Sequence, residues 1–163
     1  TKLSSKGAVV YSPEGIGKSG KPFILYKVRS MYIDAEQQGP TLSSGNLDRR
    51  ITAWGRFMRK MRLDELPQFY NVLKGDMSVV GPRPERQFFI DQITQIAPEY
   101  NKLLTVKPGI TSIGQVKFGY AQNVDEMIQR LKYDLRYLKK VSLFVDMWIS
   151  WETVLVMIIA KGN

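Results

Sequence analysis

The sequence predicts an α/β domain of the α+β type that is rich in helix and is not a Rossmann fold. Short β-prone runs at residues 8–11 and 23–26 flank a glycine-rich turn, and stretches with helical spacing of apolar residues dominate the second half of the chain. Residues 15–20, GIGKSG, match the G-x-G-x-x-G pattern of Rossmann folds, but a β-prone run follows where a helix is required. We therefore expect a small sheet surrounded by helices.

The composition limits the possible chemistry. At 163 residues and 44% hydrophobic content, residues 1–163 are expected to form a single domain. The chain contains no cysteine and no histidine, which excludes the usual zinc and copper ligand sets, cysteine nucleophiles and histidine bases. Any bound metal must be held by oxygen atoms, which points to a hard cation such as Mg²⁺.

The charge predicts an anionic partner. A net charge of +9 and a pI near 9.8 suit nucleic acid, a membrane surface or a phosphorylated substrate, and the charge alone does not choose among them. No nucleic-acid-binding motif is recognised, and no aromatic platform interleaves with a basic run. We therefore expect no nucleic acid partner.

The first third of the chain predicts a β-hairpin followed by a possible phosphate-binding strand. Residues 8–11 and 23–26 are expected to pair, and in the run KVRSM that follows, Lys27 and Arg29 share a face if the strand continues. These two cations could bind phosphate, or they could be solvated charges on a strand edge. Residues 37–47, rich in Gly, Ser and Gln, predict a loop.

A helix is predicted over residues 49–60, with Asp48 as its N-cap. Its apolar positions recur at helical spacing and are expected to pack in the core: Ile51, Trp54, Phe57 and Met58.

Two adjacent carboxylates, Asp64 and Glu65, lie between a basic run and a predicted helix over residues 66–74 that has Pro67 in its first turn and Gly75 at its end. Asp64 is the expected N-cap of this helix, and the helix dipole and nearby arginines would keep it ionised. An ionised, positioned carboxylate can be a nucleophile. The alternative is that Asp64 only caps the helix.

Residues 77–80 predict a short strand that joins the first hairpin in one sheet, and GPRP follows at residues 81–84. The two prolines restrict the backbone around Arg83, and a pre-organised guanidinium suits phosphate or carboxylate recognition. An ordinary proline-rich turn would explain the prolines equally well.

The second half predicts mainly helices. Helices are expected over residues 85–96 and 99–104, a turn over residues 107–109, and a return to the sheet at residues 114–116. Residues 123–126, NVDE, have the form of a capping box that opens an amphipathic helix.

The last predicted helix covers residues 143–160 and is strongly apolar. Its length of 18 residues is marginal for crossing a bilayer, and Asp146 and Glu152 argue against a span. Polar residues form one stripe along it: Ser142, Asp146, Ser150 and Thr153. This pattern fits a helix lying at a membrane interface, and it fits a core helix of the domain equally well.

Taken together, the motifs resemble those of the bacterial sugar transferases, the monotopic polyprenyl-phosphate phosphoglycosyl transferases that initiate exopolysaccharide and capsule assembly. They span nearly the whole chain in one order: SKG at 5–7, KVRSM at 27–31, Arg59 and Arg62 ahead of LDELPQ at 63–68, NVLKGDMS at 71–78, GPRP at 81–84 and KPGIT at 107–111. Four residues near the end also follow the family's spacing: Asp134, Tyr137, Ser142 and Asp146.

The resemblance implies transfer of a sugar-1-phosphate from a UDP-sugar to polyprenyl phosphate at the cytoplasmic face of the bacterial inner membrane. Asp64 would attack the β-phosphate to form a covalent phosphosugar intermediate. Glu65 would support it as a Mg²⁺ ligand or proton acceptor, with Mg²⁺ beside both carboxylates. Four cations would bind phosphate groups: Lys27, Arg29, Arg59 and Arg83. A non-catalytic scaffold of polysaccharide assembly at the membrane surface is the alternative.

The chain departs from the family pattern at several places. The hydrophobic N-terminal membrane segment is absent from residues 1–163, so we expect a fragment of a longer chain. Residues 13–15 read PEG where Gln-x-Arg is frequent, and Ile113 stands where Trp is common. An arginine that is common after the Gln-Val run is missing from residues 117–121, KFGYA.

Overall fold

The computed structural model describes residues 1, 5, 7–37, 39–43 and 48–159. Lys6 of the SKG motif, Gln38 and residues 44–47 of the predicted loop, and Ala160 of the predicted last helix lie outside the described residues. The helices are α1 Ala53–Lys60, α2 Gln68–Lys74, α3 Gln87–Ile96, α4 Ile113–Lys117, α5 Val124–Leu138 and α6 Leu143–Ile158. The strands are β1 Val10–Tyr11, β2 Glu14–Ile16, β3 Pro22–Ile24, β4 Lys27–Val28, β5 Ser78–Val80 and β6 Gly109–Thr111. The predicted helix-rich α/β class is confirmed.

The strands of the described residues form three separate pairs rather than one small sheet. A hairpin is present in this region, but the predicted pairing of residues 8–11 with residues 23–26 is wrong: β2 pairs with β3 next to the turn, and β1 pairs with β4 further out, both antiparallel. The expectation that the run at 77–80 joins this hairpin is wrong, because β5 pairs in parallel with β6 instead. The strand through Lys27 and Arg29 also ends at Val28.

The helix predicted over residues 49–60 begins later than expected. The side chain of Thr52, not Asp48, accepts the capping hydrogen bond, from the Gly55 N–H. Asp48 instead accepts hydrogen bonds from the Arg50 backbone and guanidinium. The prediction that four residues of this helix pack in the core is half right, because Ile51 and Met58 are buried whereas Trp54 and Phe57 are each 48% exposed. The rings of Trp54 and Phe57 stack on each other, with their centroids 5.1 Å apart.

Asp64 is not the N-cap of the helix that follows it. Arg62 has a left-handed backbone (φ 51°) and starts a single 3₁₀ turn, Leu63–Glu65, so α2 begins only at Gln68, with Pro67 at its N-cap. The predicted end of α2 at Gly75 is confirmed, with φ 91°.

The predicted return to the sheet at residues 114–116 is wrong, because these residues lie in α4. The Ser112 side chain caps this helix by accepting a hydrogen bond from the Gln115 N–H at 3.0 Å. The other helices of the second half lie close to their predicted positions, and residues 98–105 form 3₁₀ turns. The predicted capping box is present, since Asn123 accepts from the Glu126 N–H at 2.8 Å.

The main core lies between α3, the 3₁₀ turns of Pro98–Thr105 and α5. Its buried residues are Ile16, Phe89, Ile90, Ile93, Ala97, Tyr100, Leu103, Met127 and Leu131. A smaller core lies under α6 and contains Val80, Tyr137 and Ile149. β2–β4, α1 and the 3₁₀ turn at Leu63–Glu65 lie on the side of the molecule where the cavity described below opens.

Helix α6 turns its polar stripe toward the protein. The Asp146 carboxyl accepts a hydrogen bond from the Tyr137 hydroxyl at 2.7 Å, and the hydroxyls of Thr153 and Thr111 are 2.7 Å apart. The opposite side exposes what we call the α6 apolar face: Leu143, Phe144, Met147, Trp151, Val154 and Ile158. Within the described residues, no helix has the length and apolar character needed to cross a membrane.

Close backbone packing joins the segments that carry the site. A Cβ at Gly55 would lie 1.9 Å from the Ser30 carbonyl oxygen, so only glycine lets α1 approach the segment after β4 this closely. Asn71 of α2 accepts a hydrogen bond from the Tyr26 N–H and donates one to the Ile24 carbonyl. The hairpin, α1 and α2 are thereby held together around the 3₁₀ turn that contains Asp64.

Candidate active site

A cavity of about 350 Å³ opens where the hairpin, α1, the 3₁₀ turn and the GPRP loop meet. This volume is in the range of small-molecule sites. Six sequence-predicted site residues line it: Lys27, Arg29, Arg59, Asp64, Glu65 and Arg83. Asp146, the remaining one, lies on α6 and binds Tyr137 instead.

Glu65 is the more deeply buried of the two carboxylates and is surrounded by cations. Its side chain is 4% exposed, and Arg83 Nη1 donates to Glu65 Oε1 at 3.1 Å. Arg62 Nη1 lies 4.0 Å from Glu65 Oε2. Burial opposes ionisation of Glu65, but the charges of Arg83, Lys27 and Arg62 outweigh it and lower the pKa of Glu65. Of the two adjacent carboxyl groups, that of Glu65 is therefore ionised more readily than that of Asp64.

Asp64 differs from its neighbour in both contacts and pKa. No side-chain donor of the described residues hydrogen-bonds to its carboxyl group, although Lys27 and Arg59 are close enough to act electrostatically. Burial and the charge of Glu65 raise the pKa of Asp64, contrary to the expectation that a helix cap would keep it firmly ionised. A carboxylate with a raised pKa is more basic, and its lack of side-chain partners leaves it available to a ligand.

Lys27 and Arg59 bring positive charge to the cavity. Burial, reinforced by the nearby charge of Arg83, lowers the pKa of Lys27 to about 8, so it carries its charge at neutral pH. Arg59 Nε donates to the Ser30 hydroxyl at 2.8 Å, and Nη1 donates to the Ser43 hydroxyl at 3.0 Å. These bonds fix the guanidinium beside the dyad and leave its third nitrogen without a side-chain partner among the described residues.

Arg83 is positioned by backbone contacts on both sides of its two prolines. The Gly81 N–H donates to the Thr111 carbonyl at 3.0 Å, and the Gly109 N–H donates to the Pro82 carbonyl at 2.9 Å. Beyond the second proline, Glu85 accepts a hydrogen bond from Arg130 of α5 at 2.6 Å in a buried ion pair. The GPRP loop is therefore anchored to β6 and α5, and Arg83 points from it to Glu65.

Arg29 has different partners from those expected of a phosphate-binding residue. Its Nε donates to the Ala8 carbonyl at 2.6 Å, Nη1 to the Ser5 hydroxyl at 2.7 Å and Nη2 to the Ser5 carbonyl at 3.0 Å. All three guanidinium nitrogens are thus engaged by the N-terminal residues. This geometry favours a role in holding that segment at the cavity.

Tyr120 is a site residue that the sequence reasoning did not identify. Its ring centroid lies 4.9 Å from Arg83 Cζ and 5.4 Å from Arg62 Cζ, and its hydroxyl is 3.5 Å from Glu65 Oε1. The sequence pointed to this segment only indirectly: the arginine that is common in the family after the Gln-Val run is missing from the KFGYA run, which contains Tyr120.

A polar cluster closes one rim of the cavity. The Tyr11 hydroxyl donates to Glu36 Oε2 at 2.6 Å, and Arg86 Nη2 binds both the Tyr11 hydroxyl and Glu36, at 2.5 and 2.9 Å. These contacts tie the segment after Met31 to β1 and to the N-terminus of α3. They define an enclosed side of the cavity lined by both polar and apolar groups.

The site can bind an anion beside two carboxylates of unequal basicity. No group of three or more acidic residues that could hold a metal occurs in the part of the chain that the structure describes. A metal at this place would use the two dyad carboxylates, and Glu65 Oε2 is a buried oxygen for which the described part of the chain offers no hydrogen-bond partner. Mg²⁺ commonly takes one or two carboxylates and completes its coordination with substrate phosphates and water, so these residues fit it.

A family model described as bacterial sugar transferase matches residues 1–160, and the chain that carries this cationic cavity belongs to that family. It is 42% identical over 153 residues to UDP-N-acetylgalactosamine-undecaprenyl-phosphate N-acetylgalactosaminephosphotransferase of Aeromonas hydrophila, which covers 94% of this chain and 36% of the relative. It is 39% identical over 155 residues to UDP-glucose:undecaprenyl-phosphate glucose-1-phosphate transferase of Klebsiella pneumoniae, covering 94% of this chain and 33% of the relative. The chain thus spans about a third of the length of these relatives.

Proposed function

We propose that this chain transfers a sugar-1-phosphate from a UDP-sugar to polyprenyl phosphate. The observation that carries the proposal is the dyad: Asp64 has a raised pKa and no side-chain hydrogen-bond partner among the described residues, whereas Glu65 is held as an anion by Arg83 and Arg62. The names of two relatives, which state undecaprenyl-phosphate as acceptor and a UDP-sugar as donor, support the substrate classes.

In the first step, an oxygen of the ionised Asp64 carboxylate attacks the β-phosphorus of the UDP-sugar. A bond forms between that oxygen and the phosphorus, the bond from the phosphorus to the bridging oxygen breaks, and UMP leaves with the electron pair. In the second step, a phosphate oxygen of polyprenyl phosphate attacks the same phosphorus and displaces Asp64. The products are polyprenyl-diphosphate-sugar and the regenerated carboxylate.

The cations of the cavity supply the charge compensation that phosphoryl transfer requires. We assign Lys27, Arg59 and Arg83 to the diphosphate of the donor, because all three line the cavity. The charges of Lys27 and Arg59 also act on Asp64 and lower its pKa. Arg29 is assigned to the N-terminal segment, since its guanidinium is fully engaged there.

Mg²⁺ is the metal we propose for the site. Asp64 and Glu65 would hold it, together with oxygens of the donor diphosphate, and this arrangement would use Glu65 Oε2, which accepts no hydrogen bond from the residues that the structure describes. When bound, the ion would neutralise charge that develops on the leaving phosphate.

The acceptor lipid requires that the site meet a membrane, and we propose that α6 docks there from the cytoplasmic side. The α6 apolar face is exposed along the whole helix, while the polar stripe is engaged by the protein. Lys139 and Lys140 precede the face and are exposed. Anionic headgroups attract such side chains by about 1 kcal/mol each.

A second set of exposed apolar side chains lies on and beside α1 and α2: Trp54, Phe57, Leu66, Phe69 and Leu73.

The proposal is tested by measuring UMP release and lipid-linked sugar from several UDP-sugars, with polyprenyl phosphate in vesicles and Mg²⁺ present. Asp64→Asn should lose transfer by a factor of at least about 10³, since it removes the nucleophile and keeps the side-chain shape. Asp91→Asn, an exposed change on α3, is the matched control and should retain activity. Full activity in Asp64→Asn would overturn the mechanism, and no UMP from any UDP-sugar with the wild-type chain would favour the scaffold.

A further inference from the structure

Tyr120 lies in the segment between α4 and α5 and meets two arginines from different parts of the chain. Arg62 directly precedes the 3₁₀ turn of the dyad, and Arg83 belongs to the GPRP loop. The Cζ atoms of these arginines are 5.4 and 4.9 Å from the Tyr120 ring centroid, within the range of cation–π attraction. One aromatic ring therefore contacts both of the arginines that face Glu65.

Hydrogen bonds alone do not fix these arginines. Arg62 Nη1 is buried and has no hydrogen-bond partner among the described residues, and the same is true of Glu65 Oε2, 4.0 Å away. Arg83 makes one hydrogen bond to Glu65, at 3.1 Å. Besides its 4.0 Å ion pair with Glu65, the features that orient Arg62 are consequently its left-handed backbone and the Tyr120 ring.

A left-handed conformation is unfavourable for a residue with a side chain, and such strain is retained chiefly where it serves a function. At Arg62 it directs a buried guanidinium toward Glu65 and Tyr120. This backbone geometry is an observation independent of the ring contact, and both point to the placement of the same cation.

We propose that Tyr120 is a positioning residue of the transferase site: its ring orients the guanidinium of Arg83, which lines the cavity, for the phosphate groups of the donor, and the guanidinium of Arg62 for its ion pair with Glu65. The inference deepens the proposed function and rests on it. The hydroxyl is secondary, because its 3.5 Å separation from Glu65 Oε1 is at the limit of a hydrogen bond. Burial and the charge of Glu65 raise the pKa of Tyr120, which leaves the hydroxyl protonated and unsuited to act as a base.

Two substitutions separate the ring from the hydroxyl. Tyr120→Phe keeps the ring, and we expect the donor kcat/KM to fall by no more than about threefold. Tyr120→Leu removes the ring, and we expect the donor kcat/KM to fall roughly tenfold with the acceptor kcat/KM unchanged. In a two-step displacement the donor kcat/KM reports the first step alone. Tyr133→Leu is the matched control, because Tyr133 contacts Arg136 on α5, away from the cavity.

A second readout does not depend on activity. The guanidinium NMR signals of Arg62 and Arg83, assigned with Arg→Lys variants, carry a ring-current shift that should be lost in Tyr120→Leu and kept in Tyr120→Phe. Should the leucine variant fail to fold, Tyr120→Met makes the same comparison with a side chain closer in length.

The outcomes distinguish the inference from the function it rests on. Equal damage from Tyr120→Phe and Tyr120→Leu would assign the effect to the hydroxyl and overturn the inference. Unchanged arginine signals and unchanged donor kcat/KM in Tyr120→Leu would also overturn it. If the wild-type chain transfers nothing while the arginine signals still respond to loss of the ring, the proposed function fails and the orienting contact stands.

Discussion

At the scale of single residues, Asp134 shows how burial changes the pKa of a carboxyl group. It is 2% exposed on α5, and its carboxyl accepts a hydrogen bond from the Gly114 N–H at 3.0 Å. Burial raises the pKa of Asp134 to about 6, against the lowering influence of Arg130 and of its hydrogen bonds. The protonated acid is thus favoured more in the folded chain than in the unfolded chain.

This shift predicts a pH-dependent effect of Asp134→Asn. The stability contributed by protonated Asp134 is fully present below its unfolded pKa of about 3.9 and is lost as the pH rises through about 6. Because asparagine does not titrate, the unfolding free energy of the variant should gain roughly 2 to 3 kcal/mol on that of the wild type between pH 4 and pH 7. Urea unfolding at both pH values measures it, with Asp91→Asn as exposed control. An identical difference at the two pH values would contradict the shift.

The sequence allowed the two dyad residues to be identified, but it did not predict their pKa shifts or their local backbone conformation. The motif order assigned Asp64 and Glu65 to the site, and both line the cavity. Their opposite pKa shifts were not predictable, because they depend on Arg83 and Lys27 reaching Glu65 from segments distant in sequence. Nor does the sequence reveal that Arg62 is left-handed, so the expected helix cap at Asp64 gave way to a 3₁₀ turn.

At the scale of elements, α6 has two sides with different roles. Ile149 is 0% exposed in the smaller core, whereas Phe144 on the same helix is 88% exposed. Burial of the first stabilises the fold, and exposure of the second leaves an apolar side chain available to a membrane.

A matched pair of substitutions tests this division. Ile149→Ala should lower the unfolding free energy by about 2 to 5 kcal/mol, as expected for truncation of a fully buried isoleucine. Phe144→Ala should change it by less than about 0.5 kcal/mol, and it should weaken flotation with anionic vesicles severalfold. Denaturant unfolding and vesicle flotation of both variants measure the two effects. Loss of stability in Phe144→Ala, or unchanged flotation, would refute an outward membrane-docking face.

Elements with long periodic patterns were predicted well, and short strands were not. Helices α3 and α5 follow from their apolar spacing and, for α5, its capping box. Strands of two or three residues carry no register signal, so the pairing of β5 with β6 could not be deduced. The helix α4 had a usable signal that was overlooked, because Ser112 and Gln115 have the spacing of a capping box.

At the scale of the whole molecule, the site is assembled from segments distant in sequence. Lys27 lies in β4, Arg59 lies in the last turn of α1, Arg83 lies in the GPRP loop and Tyr120 follows α4. Motif order predicted three of these contributors. It could not predict Tyr120, because a ring placed over two guanidinium groups is a product of tertiary packing that leaves no local pattern.

The central claim is that Asp64 carries the phosphosugar between donor and acceptor, and intact-protein mass spectrometry tests it most directly. The chain is incubated with UDP-sugar and Mg²⁺ without polyprenyl phosphate. The account predicts a mass increase of one sugar-1-phosphate with matching UMP release, located at Asp64 by peptide mapping, absent from Asp64→Asn and discharged by polyprenyl phosphate. Transfer that proceeds with no adduct, or an adduct on another residue, would contradict it.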